Sequence, residues 1–213
     1  MKNNLFYIIL LLIFCFEYSN AQDDPIIRYG IKVGMNVSNT STGFGSGPSF
    51  RDPKSKIGAA AGFIVNIPLS YRLTLQPEIT YANEGSKQQG IPPNASSSTY
   101  TDIYQMKLNF VNIPVMLQYN DEESGLYLEA GPQLNWIVSS KLENKVTSEN
   151  TPAEKNIKGY FNSRSLSVGI GAGINLINNI GIGARYNMGL TQATEEIGLM
   201  KINSFYLGVH YKL

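Results

Sequence analysis

Few side chains here are of the kinds that make or break bonds, and their spacing limits what they can do. His210 is the single histidine of the 213-residue chain. Ser204 shares its face of an alternating segment, but six residues of extended chain separate the two by roughly 20 Å, too far for a nucleophile–base pair. Ser167 would have to approach from another segment. One histidine and the single Cys15 do not make a metal site. Gly169, Gly171 and Gly173 mimic a dinucleotide loop, yet that loop must open a helix, and here the glycines alternate within a strand pattern. Gly43, Gly45 and Gly47 lack the Lys-Ser/Thr of a phosphate loop. No catalytic, cofactor-binding or metal-binding residues are expected.

The charged side chains point to a structural task instead. Lys32, Glu78, Lys107, Glu129 and Arg185 are isolated charges on faces otherwise made of Gly, Ser, Asn, Gln and Thr. If those faces line a narrow interior, the charges must pair, because an unpaired buried charge is costly. The expectation is a lumen charge network that plugs the interior. The rival reading, a gated ion path, needs a bore that a small barrel lacks.

The elements that would position these residues alternate with period 2, the strand signature. Tyr29, Ile31, Val33, Met35 and Val37 alternate with Gly30, Lys32, Gly34, Asn36 and Ser38. Similar runs follow at 57–67, 71–81, 103–119, 126–138, 165–176, 180–190 and 204–213. In the fourth run the apolar parity flips near Val111, which reads as a bulge. About eight strands result, most with the 9–11 residues a tilted membrane strand needs. Long polar connections (39–55, 84–101, 139–162 and 191–200) separate short ones near 68–70, 120–124 and 177–179. That alternation suits an antiparallel up-and-down transmembrane β-barrel with short periplasmic turns and long outer loops.

Compartment follows from the first residues. Lys2, the apolar run Leu5 to Phe14, and Ser19-Asn20-Ala21 form a secretory signal peptide, residues 1–21, that exports residues 22–213 through the Sec pathway as one domain. Charged residues make up only 15%, against roughly 25% in soluble chains. Formal net charge is +1, so no nucleic-acid partner is expected. A lipocalin-like barrel would point its apolar face inward around a small apolar ligand, and its outer face would be rich in Lys and Glu. The non-apolar face here is nearly uncharged, which favours apolar side chains turned to outer-membrane lipid. Tyr29, Tyr71, Tyr81, Tyr119, Trp136 and Tyr211 stand towards strand ends as an aromatic girdle. Val168, Ile182 and Leu128 are expected to face mid-bilayer.

The stretches Leu108–Tyr119 (with Ile113-Pro114-Val115 at its centre), Gly125–Pro132, Val168–Gly173 and Ala184–Leu190 resemble, in order, the PorT-like outer-membrane β-barrel family of the Bacteroidetes lineage. The resemblance covers the chain from about residue 26 to its end. It implies a Gram-negative cell-envelope barrel without a catalytic set, and its named member is linked to protease secretion. A non-catalytic role as envelope anchor, surface-interaction protein or secretion accessory is therefore expected. An envelope or extracellular protein partner would meet loops 39–55, 84–101 and 139–162. Phe205, Leu207, Val209, Tyr211 and Leu213 resemble the terminal signal read by the barrel-assembly machinery during insertion, though an aromatic last residue is commoner than Leu213.

Overall fold

The computed structural model describes residues 26–41, 52–90, 102–121, 123–145, 153–157, 163–176, 179–191 and 200–213. The signal peptide lies outside them. The described strands are β1 (Arg28–Thr40), β2 (Lys54–Pro68), β3 (Leu73–Gly90), β4 (Asp102–Asn120), β5 (Leu126–Lys145), β6 (Ala153–Asn156), β7 (Arg164–Asn175), β8 (Ile180–Gly189) and β9 (Ile202–Lys212). All pairings are antiparallel, and neighbours in sequence pair in turn. The last strand, β9, pairs with β1, from Gly30↔Lys212 to Thr40↔Ile202, so eight strands close a ring. Strand β6 stands outside that ring, paired with the far end of β5. Closure leaves no strand edge in lipid, the condition for spanning a bilayer with strands. No described helix is long and apolar enough to cross a membrane.

The period-2 pattern decides the two faces. Val33, Phe63, Ile170 and Leu207 are 55%, 67%, 60% and 53% exposed, while Asn36, Glu78, Asn112, Gln118 and Arg185 between them are buried. Apolar side chains therefore point outward and polar ones inward, the reverse of a lipocalin-like barrel. The short turns use the residues that tight reversals need: Gly125 (φ 72°) and Asn179 (φ 65°) take the left-handed conformation.

Three expectations are corrected. The segments 84–101 and 139–162 are not simply loops. Strands β3 and β4 stay paired from Glu84↔Leu108 to Gly90↔Asp102, and β5 runs on to Lys145. The β3 extension, Glu84–Gly90, is polar on both faces, so no hydrophobic alternation betrays it. Second, β4 has no bulge at Val111. Its even-numbered residues from Met106 to Gln118 all face inward, and the register shift falls on β5, where Asn109↔Ser139 is followed by Phe110↔Ile137. The apparent flip is one of chemistry: the inward face turns apolar at Phe110, Leu108 and Met106. These three gather with Ile137, Ile157 and Met200 into a buried apolar cluster inside the long-hairpin end.

The third correction concerns depth. Ile170 and Leu207 each lie five residues from the end of their strand on the short-turn side, whereas Leu128 pairs directly with Tyr119 of the girdle. Ile170→Arg and Leu207→Arg should each cost about 2–4 kcal/mol in lipid vesicles, but Leu128→Arg only about 0–1 kcal/mol. Urea unfolding of the refolded variants reads this gradient. Equal costs at all three sites would overturn the depth assignment.

Candidate functional site: an ion-paired lumen

Four strands each deliver one inward charge to the centre: Lys32 from β1, Glu78 from β3, Glu129 from β5 and Arg185 from β8. Strand alternation puts them inside, and ring closure brings β8 across from β3. The Glu78 carboxylate accepts from Lys32 Nζ at 3.0 Å and from Arg185 Nη1 and Nη2 at 3.1 and 2.6 Å. Arg185 Nε donates to Glu129 Oε1 at 2.6 Å. Two cations thus meet two carboxylates, and the centre is neutral. The side chains are 10% exposed or less, so each ion depends on its partners for the solvation water would supply.

Neutral amides complete the layer. Gln76 Nε2 donates to Glu78 Oε1 at 2.8 Å, Gln118 Nε2 donates to Glu129 Oε2 at 3.0 Å, and Asn66 Nδ2 donates to Gln76 Oε1 at 2.8 Å. Lys32 Nζ also lies 4.5 Å above the Tyr206 ring, a cation–π contact. Tyr127 lies over its neighbours β7 and β8, its hydroxyl against their paired Gly173 and Gly183, where any Cβ would collide with it. That close approach accounts for Gly173, while Gly171 lies against Glu129 and Gly169 against Asn187.

Lys107 does not belong to this network. It sits on the outward face of the β4 extension and pairs with Glu143 of β5, both partly exposed. It alternates with the inward Met106 and Leu108, so reading the apolar Leu108 and Phe110 as lipid-facing places it inside. Conversely, the buried charges Glu84, Lys56 and Lys212 are absent from the expected lumen network. Glu84 and Lys56 were hidden because their strands continue into segments read as loops.

His210 places Nε2 3.1 Å from Asn175 Oδ1 and meets the Tyr127 ring edge-on at 6.0 Å. Ser204 accepts from Asn187 Nδ2 at 3.4 Å, and Ser167 from Asn135 Nδ2 at 3.1 Å. Neither serine meets the imidazole. Among the described residues no group of His, Cys, Asp and Glu could hold a metal ion.

The lumen has little room. A space of about 30 Å³ lies between Lys32, Glu78, Arg185 and the outer residues Asn36, Asn112 and Asn187. Two others measure about 10 Å³ each. A single water needs roughly 10–15 Å³, so these are pockets for one to a few waters. The apolar cluster of Met106, Leu108, Phe110, Ile137, Ile157 and Met200 closes the long-hairpin end above them.

The six aromatic residues of the expected girdle are all exposed. Tyr29, Tyr71, Tyr119 and Tyr211 stand at the short-turn end, while Tyr81 and Trp136 share a row through Val111 further up. Tyr186 and Phe205, paired with each other, are exposed at a comparable height and escaped notice. At the short turns, the Ser124 hydroxyl holds the Asp121 carboxyl below its ordinary range, and the Tyr119 hydroxyl, accepting from Arg72 at 2.9 Å, raises that guanidinium further. The residues of the expected insertion signal, Phe205, Leu207, Val209, Tyr211 and Leu213, all face outward. Tyr211 pairs with Ile31 and Ile180 at the closing seam.

Comparison with known proteins agrees with this architecture. A family described as outer membrane protein beta-barrel domain matches residues 20–195. Neisserial surface protein A is similar in structure, with a TM-score of 0.52 at 12% identity, over 87% of this chain and 97% of that one. Ail of Yersinia pestis follows with a TM-score of 0.44 at 13% identity, over 87% and 98%. The outer membrane protein OprG of Pseudomonas aeruginosa gives 0.42 at 10% identity, over 91% and 99%. No curated protein sequence matches the chain.

Proposed function

Because this chain belongs to the outer membrane protein beta-barrel domain family, and so resides in the outer membrane, we propose that it is a non-catalytic envelope protein, an anchor that carries its long hairpins outside the cell. One observation carries the reading: the lumen is filled and electrically neutral at its centre, so the molecule's free surfaces are its hairpins rather than a channel. A plugged ring with short turns on one side and strands extended on the other is suited to holding and presenting.

Two measurements test this. Reconstituted in planar bilayers, the protein should give no steady ion conductance; open-channel steps would overturn the plug. Epitope tags near Ser97 or Asn150 should be reached by antibody on intact cells. Access only after the outer membrane is broken would reverse the orientation.

Kinship with the PorT-like barrels, and with it a share in protein secretion, is the narrower form of the same reading. It is supported by the ordered stretches from Leu108 to Leu190. Cells lacking the chain should then retain secreted proteins while their outer membrane stays intact. Unchanged secretion would leave the anchor and surface roles standing alone. Any envelope or extracellular partner would meet the hairpins between β1 and β2, β3 and β4, and β5 and β7.

A further inference from the structure

The extended β2–β5 sheet carries an outward row of lysines. Lys54 lies directly opposite Lys87, and Lys107 directly opposite Lys141. Like charges facing each other across a strand pair are destabilising. Lys87 also pairs with Gln105, two residues from Lys107 on β4, so the two lysine pairs adjoin on one face. Lys56 tucks beneath them, donating to Asn83, within the electrostatic reach of Lys107 and Lys87. Glu143, paired with Lys107, Glu154 of β6, opposite Glu143 in register, and Asp52 near Lys54 are carboxylates on this side. Lys141 already has a partner nearby.

Position gives the row its meaning. The exposed row Tyr81–Val111–Trp136 is followed outward by Asn83–Asn109–Ser139 and then by Gly85–Lys107–Lys141. Lys107 is four residues beyond Val111, about 14 Å along the strand and about 10 Å vertically at barrel tilt. Long lysine stems bend their ammonium groups back towards an interface. Arg164 marks that interface, its guanidinium stacked 5.4 Å from the Trp136 ring. The other side of the barrel differs: above Phe205 the described cation is Lys201 alone.

We propose that Lys54, Lys87 and Lys107, flanked by Arg164 on Trp136, form a docking face for a phosphorylated lipid headgroup of the outer leaflet. The face is cationic on one side only, lies just above lipid-facing aromatic side chains, and sets Lys54 directly against Lys87, a repulsion that a multiply charged anion would relieve. An acidic protein would not need this depth. The inference rests on the outward orientation of the hairpins, which the antibody experiment reads independently of lipid.

Trp136 is the chain's single tryptophan and lies in the face, so its emission reports binding directly. The full-length protein, extracted from outer membranes into detergent, is titrated with bisphosphorylated lipid A and with its dephosphorylated counterpart. Only the phosphorylated lipid should give a saturable change, and it should weaken as salt rises from about 0.05 to about 0.5 M. The variant K54Q/K87Q/K107Q should bind about a hundredfold more weakly, about fivefold per lysine. It should keep heat-modifiable gel migration, and K201Q should bind as the parent does. If the triple variant does not fold, Lys87→Gln and Lys107→Gln singly should each show the fivefold loss. Equal binding of both lipids, or undiminished binding by the lysine variants, overturns the proposal. So does an equal response to millimolar inorganic phosphate or to a soluble acidic polysaccharide, since either would make the face a general anion site.

Discussion

Glu78→Leu should destabilise the barrel by about 3–5 kcal/mol, the expected cost of stranding buried charges. Its carboxylate accepts from both Lys32 and Arg185, so one substitution leaves two cations facing Glu129 alone. Leucine is close to glutamate in volume, so cavity formation adds little to the loss. Denaturant unfolding in lipid vesicles measures it, with retained heat-modifiable migration showing that the variant still inserts. The double variant Glu78→Leu/Arg185→Leu should recover part of the loss, because it leaves one cation, Lys32, with one carboxylate, Glu129. Lys107→Leu sets the contrast. Its pair with Glu143 has side chains 37% and 17% exposed, where water screens the charges, and should change stability by no more than about 1 kcal/mol. A Glu78 variant as mild as the Lys107 one would mean that the centre is hydrated and the plug is not held by ion pairing.

Removal of Tyr211, Lys212 and Leu213 should abolish insertion while leaving export across the inner membrane intact. Tyr211 pairs with both Ile31 and Ile180, and the Leu213 amide donates to the Tyr29 carbonyl at 2.6 Å. The deletion therefore opens the seam between β1 and β9 at the end where the aromatic girdle meets the interface. Unpaired backbone groups there cost several kcal/mol each in hydrocarbon. The same residues end the outward apolar row Phe205, Leu207, Val209, Tyr211 and Leu213, the pattern expected of a signal to the assembly machinery. The truncated chain should accumulate in the periplasm or be degraded. Replacing Tyr211 with Phe and Leu213 with Phe, which keeps the apolar row and the pairing, should preserve insertion. Truncated protein reaching the outer membrane in heat-modifiable form at normal levels would refute the terminal-signal idea and leave the barrel untouched.

What residue order alone decided was everything governed by alternation. In an extended chain successive side chains point to opposite faces, so the outward Val33, Phe63 and Leu207 and the inward Lys32, Glu78, Glu129 and Arg185 could be sorted from parity. Up-and-down topology followed from the short turns, which permit only neighbouring strands to pair. Parity fails where both faces are polar or where the interior changes chemistry. It therefore missed the paired extensions from Glu84 to Gly90 and misread the inward Met106, Leu108 and Phe110 as a bulge. Lys107 was placed inside for the same reason, because it alternates with Leu108 and Phe110, whose apolar side chains point inward. Height along the barrel is also invisible to alternation. Only register, counted from the short-turn end through hydrogen-bonded partners, places Leu128 beside Tyr119. Which cation meets which carboxylate was likewise beyond the sequence, since Glu78 and Arg185 stand 107 positions apart and meet only because the ring closes between β9 and β1.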